Sequence, residues 1–205
     1  MRAAVVVSGD LGRSSRMQYH AHALAAQGVD VDLIGYRGVP LPRSLERHPR
    51  ITVYRLAAPR LRSRSGRSQV LYAAAAFLDG LRGSFALARR LFTIPRPDVL
   101  LVQNPPALPL LHVAMLVSSL RGARFVIDWH NLGFSILALR LGRRHLAVRL
   151  ARWLEMIAAR TADGHLCVSR GFARFLADKF GIPVARVVYD RPASVFVPIE
   201  PADGV

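Results

Sequence analysis

Short apolar runs alternating with segments of helical period constrain this chain more than any other feature. Ala3–Val7 contains no polar residue, the pattern of a strand buried on both faces of a parallel sheet. Val29–Ile34, Ile51–Leu56, Asp98–Gln103, Arg124–Asp128, Gly164–Val168 and Arg186–Tyr189 also read as strands. Between them, Met17, Ala21, Leu24 and Ala25 share one helix face, with Ser15 and Gln18 at capping-box spacing and Gly28 as a stop. Val70–Leu91 reads as a helix weakened by Gly80 and Gly83, and Ala107–Leu120 as a helix behind a proline pair. Leu146, Leu150, Trp153, Leu154 and Ile157 fall on one helical face, and Ser169 suits the cap of a helix ending near Gly181. The basic stretch Arg60–Arg67 reads as an exposed loop. Strands alternating with helices predict an α/β fold, a Rossmann-like parallel sheet covered on both faces.

In such sheets ligands bind beyond the carboxyl ends of the strands, and three strand exits here are polar. Ser8–Arg16 follows the first strand. Gly9 and Gly12 permit a tight turn or close approach to a ligand. The helix start beyond them favours an anion, to which Ser14, Arg13 and Arg16 add polar and charged groups. The spacing is not the full dinucleotide-binding glycine fingerprint, and the glycines also fit a plain turn. Gln103 and Asn104 follow the fourth strand, where their amides suit sugar or other hydroxyls, or simply a polar exit before Pro106. Asp128, Trp129, His130 and Asn131 follow the fifth. His130 suits general-base work, because histidine titrates near working pH. Asp128 suits orienting it or binding a hydroxyl. The alternative is a histidine that caps the next helix.

The net charge of +16 is almost all arginine, Lys179 being the only lysine. This fits an anionic partner, or a coding bias that also enriches alanine. Arg140, Arg143, Arg144, Arg149 and Arg152 lie among leucines over Ile136–Trp153. Read as one helix, that segment suits an anionic membrane surface, or an ordinary surface helix with a buried apolar side. Cys167 is the single cysteine, so no internal disulfide exists. His20 and His22 are two apart on a helix and make a poor metal pair, and no Cys/His spacing suggests zinc. No nucleophile elbow is present. Prolines break the longest uncharged stretch, Val99–Leu120, so no spanning helix is expected.

Taken in order, Gly9–Ser14 with Arg16–His20, Gln103–Pro106, Val126–Asn131, Cys167–Val168 and Val188–Ser194 resemble the β-1,4-mannosyltransferase family of asparagine-linked glycan assembly. The resemblance covers Ala3 to Phe196. It implies a GT-B fold in which residues 1–196 form the N-terminal, acceptor-side domain and residues 197–205 lead toward an absent C-terminal donor-binding domain. It also implies inverting transfer of mannose from GDP-mannose, a substrate and not a cofactor, to a lipid-diphosphate-linked sugar. The expected setting is the cytoplasmic face of a membrane, with the chain held peripherally. By position His130 would be the base, with Asp128 and then Asp10 as the other candidates. Gly9, Gly12 and Arg13 would approach phosphates, and Gln103, Asn104 and Asn131 sugar hydroxyls. Arg140, Arg143 and Arg144 would face the membrane. Eukaryotic members of the family carry an N-terminal anchor, whereas this chain starts at its first strand. A non-catalytic acceptor-binding half of a split enzyme is the main alternative. A nucleic-acid-binding protein, suggested by charge alone, lacks a recognition motif, and an oxidoreductase lacks the glycine fingerprint.

Overall fold

A computed structural model describes residues 1–57, 69–105, 109–183 and 186–190. The loop expected at Arg60–Arg67, the start of the helix expected from Ala107, and residues 191–205 lie outside these. All seven predicted strands are present: β1 (Arg2–Asp10), β2 (Asp30–Tyr36), β3 (Ile51–Leu56), β4 (Val99–Asn104), β5 (Arg124–Trp129), β6 (Gly164–Cys167) and β7 (Arg186–Val187). They form one parallel sheet in the order β3-β2-β1-β4-β5-β6-β7. The order runs outward in opposite directions from the β1–β4 pair, so the switch point lies between the exits of these two strands. That is where open α/β sheets leave a crevice.

Seven helices connect the strands among the described residues: α1 (Ser15–Ala26), α2 (Arg43–Glu46), α3 (Gln69–Thr93), α4 (Leu110–Arg121), α5 (Gly133–Leu141), α6 (Leu146–Thr161) and α7 (Arg170–Phe180). Alternation along the strands sorts the core into two layers. Val5, Val7 and Leu33 pack against Met17, Ala21 and Ala25 of α1 and Leu45 of α2. Ala4, Val6, Ile127 and Trp129 pack against Leu87 and Leu91 of α3, Leu111 and Ala114 of α4, Met156 and Ala159 of α6, and Leu176 of α7. Removing such side chains from water, at about 25 cal/mol per Å² of apolar surface, is the main force closing both layers.

Several local expectations are corrected. The capping box at Ser15 does not form. Ser14 is the N-cap of α1, without a side-chain capping bond, and Gln18 Nε2 instead donates to the Leu11 carbonyl at 2.7 Å. The cap at Ser169 does form: its Oγ accepts from Phe172 N at 3.2 Å, and Gly181 ends α7 at φ 62°. The single basic helix over Ile136–Trp153 is two helices. Gly142, at φ 85°, leaves the helical region, and the His145 ring caps the new start by accepting from Ala147 N at 3.1 Å. Of the apolar face expected on α6, Leu146, Leu150 and Trp153 point outward and Leu154 and Ile157 are half-buried. Leu146 is 75% exposed and Trp153 60%. Val148, Ala151, Met156, Ala158 and Ala159 face the protein, so these and not Leu146 or Leu150 make the packing side.

Candidate active site

The exits of β1, β4, β5 and β7 meet at the switch-point edge, and their centre is the Asp128 carboxylate at the end of β5. It is fully buried and holds four hydrogen bonds. Arg16, on the first turn of α1, donates Nη2 to Oδ1 and Nε to Oδ2, both at 2.8 Å. His130 Nε2 lies 2.9 Å and His20 Nε2 3.2 Å from the same Oδ2. Burial alone would raise the Asp128 pKa. The bonds from His130, His20 and Arg16 outweigh it and hold the carboxyl far below the usual range. Burial would likewise lower the Arg16 pKa, but Asp128 and Asp190 outweigh it and raise it. The site therefore contains a fixed carboxylate and a fixed guanidinium.

A carboxylate can only accept, so each imidazole presents its Nε2–H to Asp128. In neutral His130 this leaves the lone pair on Nδ1. His130 is partly exposed, and its backbone N–H donates to the Asn104 carbonyl at 2.9 Å, which fixes the ring's base at the β4–β5 edge. The geometry suits a general base: an oriented imidazole, backed by a permanent anion, with its other nitrogen unengaged by that anion.

The other expected residues separate into groups. Arg16 is only 7% exposed, and its Nη1 donates to the Val188 carbonyl at 2.6 Å and to Asp190 Oδ1 at 2.9 Å. It ties α1, β5 and the segment leaving β7 together and is buried among these partners. Asp10 accepts from Gly12 N at 2.9 Å and from Val39 N at 3.0 and 3.1 Å, and so holds the loop after β1 against the loop after β2. Gly12 lies under the Val39 carbonyl, where a Cβ would overlap it, whereas a Cβ at Gly9 would meet open space. Arg13 reaches Asp10 only at 3.6 Å and is 79% exposed, so it is the cation at the surface of this loop. Ser14 Oγ donates to Gln103 Oε1 at 2.8 Å across the switch point. Asn131 is exposed at the rim. Asn104 is fully buried and turned inward: its Nδ2 donates to Glu155 Oε1 at 2.7 Å and to the Asn131 carbonyl at 3.3 Å. Trp129, grouped in sequence with the polar cluster, is fully buried and donates Nε1 to His165 Nδ1 at 3.1 Å on the far side of the strand.

Sequence reasoning passed over two residues. His20 lies four residues after Arg16, one turn along the same helix face, and that spacing is the signal that both reach Asp128. Glu155 is the one acid on the inward side of α6. Its carboxylate accepts from Gly133 N and Phe134 N, both at 2.9 Å, and so caps α5 where Leu132 offers no side chain. Burial raises the Glu155 pKa despite these donors.

Residues 12–190 match the glycosyl transferase 4-like domain. The chain is 42% identical over 199 residues to the UDP-glycosyltransferase TURAN of Arabidopsis thaliana, covering 96% of this chain and 42% of that protein. It is 38% identical over 191 residues to the human chitobiosyldiphosphodolichol beta-mannosyltransferase, covering 93% of this chain and 40% of that one. It thus spans about two fifths of the length of these relatives. Among solved structures, LpCGTa in complex with UDP superposes with a TM-score of 0.60 at 14% identity, over 95% of this chain and 55% of that one. Arabidopsis thaliana UGT89C1 complexed with UDP superposes at 0.59 and 17%, over 93% and 49%. At these identities the likeness is one of fold: a Rossmann-like half of a GT-B protein.

Proposed function

This chain belongs to the glycosyl transferase 4-like domain family, and from that premise we propose that it is the acceptor-side half of a glycosyltransferase. The transfer is of mannose, from GDP-mannose to a sugar on a lipid diphosphate, with inversion. The relatives' names support the sugar and the acceptor. The observation that carries the chemistry is the His130–Asp128 pair, an imidazole seated on a carboxylate that stays ionised. His130 Nδ1 takes the proton of the attacking acceptor hydroxyl. The oxygen forms a bond to the anomeric carbon from the face opposite the phosphate, the carbon–phosphate oxygen bond breaks, and GDP leaves with the electron pair. Asp128 steadies the imidazolium and stays unprotonated, because its hydrogen bonds favour the anion. Arg13 and the open turn at Gly9 offer charge and backbone to the acceptor diphosphate, while Gln103 and Asn131 border the path of the sugar. No helix among the described residues is long and apolar enough to cross a membrane. Arg140, Arg143 and Arg144, beside the exposed Leu139 and Leu141, fit a peripheral seat on an anionic leaflet.

In a full-length enzyme carrying this domain, His130→Gln is expected to cut mannosyl transfer at least about a hundredfold, the span of general-base catalysis, with donor affinity unchanged. Turnover equal to that of the parent refutes the base assignment.

A further inference from the structure

Away from the strand exits, α6 and the end of α7 line an open hollow of about 430 Å³. Four cations line it, Arg149, Arg152, Arg160 and Lys179, with no carboxylate among the lining residues. Among the described residues none of the four forms an ion pair, although the fold pairs Arg2, Arg16, Arg50 and Arg55 with acids elsewhere. Arg149 and Arg152 stand one helical turn apart, a repulsive spacing for like charges. Arg152 is also held in place: its guanidinium lies 5.3 Å from the Phe180 ring centre and 5.9 Å from that of Phe134. A concave surface that concentrates four unpaired cations and orients one of them between two rings is built for an anion.

The wall selects the kind of anion. Trp153 stands at the mouth, 60% exposed, and Leu150 and Leu146 continue an outward apolar ridge along α6 at 55% and 75%. Helical spacing sets this ridge directly beside the cationic hollow. A purely polar ion would leave the ridge wet. A phosphate ester carrying hydrocarbon would put its charge in the hollow and its chain against Leu150 and Trp153. We infer that the α6–α7 hollow is a seat for the phosphate group of an anionic phospholipid. It is a defined headgroup site next to the general basic surface at Arg143 and Arg144. This rests on the membrane-facing part of the reading above and not on its transfer chemistry.

Trp153 gives the readout, because the other tryptophan, Trp129, is fully buried. The 205-residue chain is mixed with vesicles of phosphatidylcholine containing phosphatidylglycerol, with vesicles of phosphatidylcholine alone, and with inorganic phosphate. Tryptophan emission and co-sedimentation are both followed. The expected result is a blue shift with the phosphatidylglycerol vesicles only, absent in Trp153→Phe. Arg149→Gln with Arg152→Gln should weaken partition about 25-fold, at about fivefold per arginine near an anionic surface. Arg43→Gln with Arg47→Gln, on α2 and at its C-cap across the sheet, should leave it unchanged. A loss of equal size from the α2 pair makes the attraction diffuse and overturns the seat. Partition that responds to Arg143→Gln with Arg144→Gln but not to Arg149 and Arg152 overturns the seat and leaves the membrane reading standing. Absence of any vesicle binding removes both. Saturation of the Trp153 signal by inorganic phosphate, with no vesicle response, overturns the lipid as the source of the phosphate.

Discussion

Replacing Asp128 by Asn tests the buried cluster that organises the candidate site. The carboxylate and Arg16 are 0% and 7% exposed and share two bonds of 2.8 Å. Asn keeps the size of the side chain but removes the charge and turns one acceptor into a donor facing the Arg16 fork. A buried guanidinium is then left without its counter-ion, which costs about 3–5 kcal/mol, against a total domain stability of about 5–15 kcal/mol. With a urea slope of about 2 kcal/mol/M, the midpoint should fall by about 1.5–2.5 M. Circular dichroism during urea titration at neutral pH measures it. The pH dependence gives a second check. Asp128 has a folded pKa far below its unfolded value of about 3.9, so its contribution is complete well above that value and is lost as pH falls below it. The gap between parent and Asp128→Asn should therefore close in acid. A midpoint shift below about 0.5 M at neutral pH, or a gap that widens in acid, refutes the reasoning. Replacing both partners, Arg16→Met with Asp128→Leu, should recover much of the loss, since apolar substitutes for a buried pair are often neutral.

Gly12→Ala should cost about 1–3 kcal/mol through overlap with the Val39 carbonyl, read as a lower thermal midpoint, while Gly9→Ala should be far milder. Glu155→Gln puts an amide donor against the Gly133 or Phe134 N–H and should cost about 1–3 kcal/mol. Hydrogen exchange at those two amides should quicken, and unchanged protection would mean that Glu155 does not cap α5. Arg13→Ala removes the exposed cation of the β1–α1 loop and should weaken binding of a soluble sugar diphosphate without changing stability. Equal binding would take Arg13 out of the site.

The central strands were legible because the parallel sheet buries both their faces and so leaves apolar runs in the sequence, whereas the edge strands β3 and β7 are only partly buried. Helix faces were harder to read. On α6 Leu146, Leu150 and Trp153 point to solvent while Val148, Ala151, Met156, Ala158 and Ala159 face the protein, so hydrophobicity alone misplaced the packing side. The candidate site was half legible. Asp128 and His130 are neighbours in sequence at a strand exit and stand out locally. Their partners do not: Arg16 and His20 lie more than a hundred residues away on α1, and Asp190, which Arg16 also bonds, lies beyond β7. A polar residue in sequence does not say whether it will turn inward, and Asn104, Asp10 and Arg16 all turn inward to bond the scaffold. Glu155 was missed because a lone acid within an amphipathic helix reads as solvent-facing unless its register is known.

The most direct test of the central claim is calorimetric titration of this 205-residue chain with a soluble chitobiosyl diphosphate and, separately, with GDP-mannose. An acceptor-side half binds the chitobiosyl diphosphate, binds it more weakly on Arg13→Ala, and gives no heat with GDP-mannose. Binding of GDP-mannose with no response to the chitobiosyl diphosphate would contradict the account.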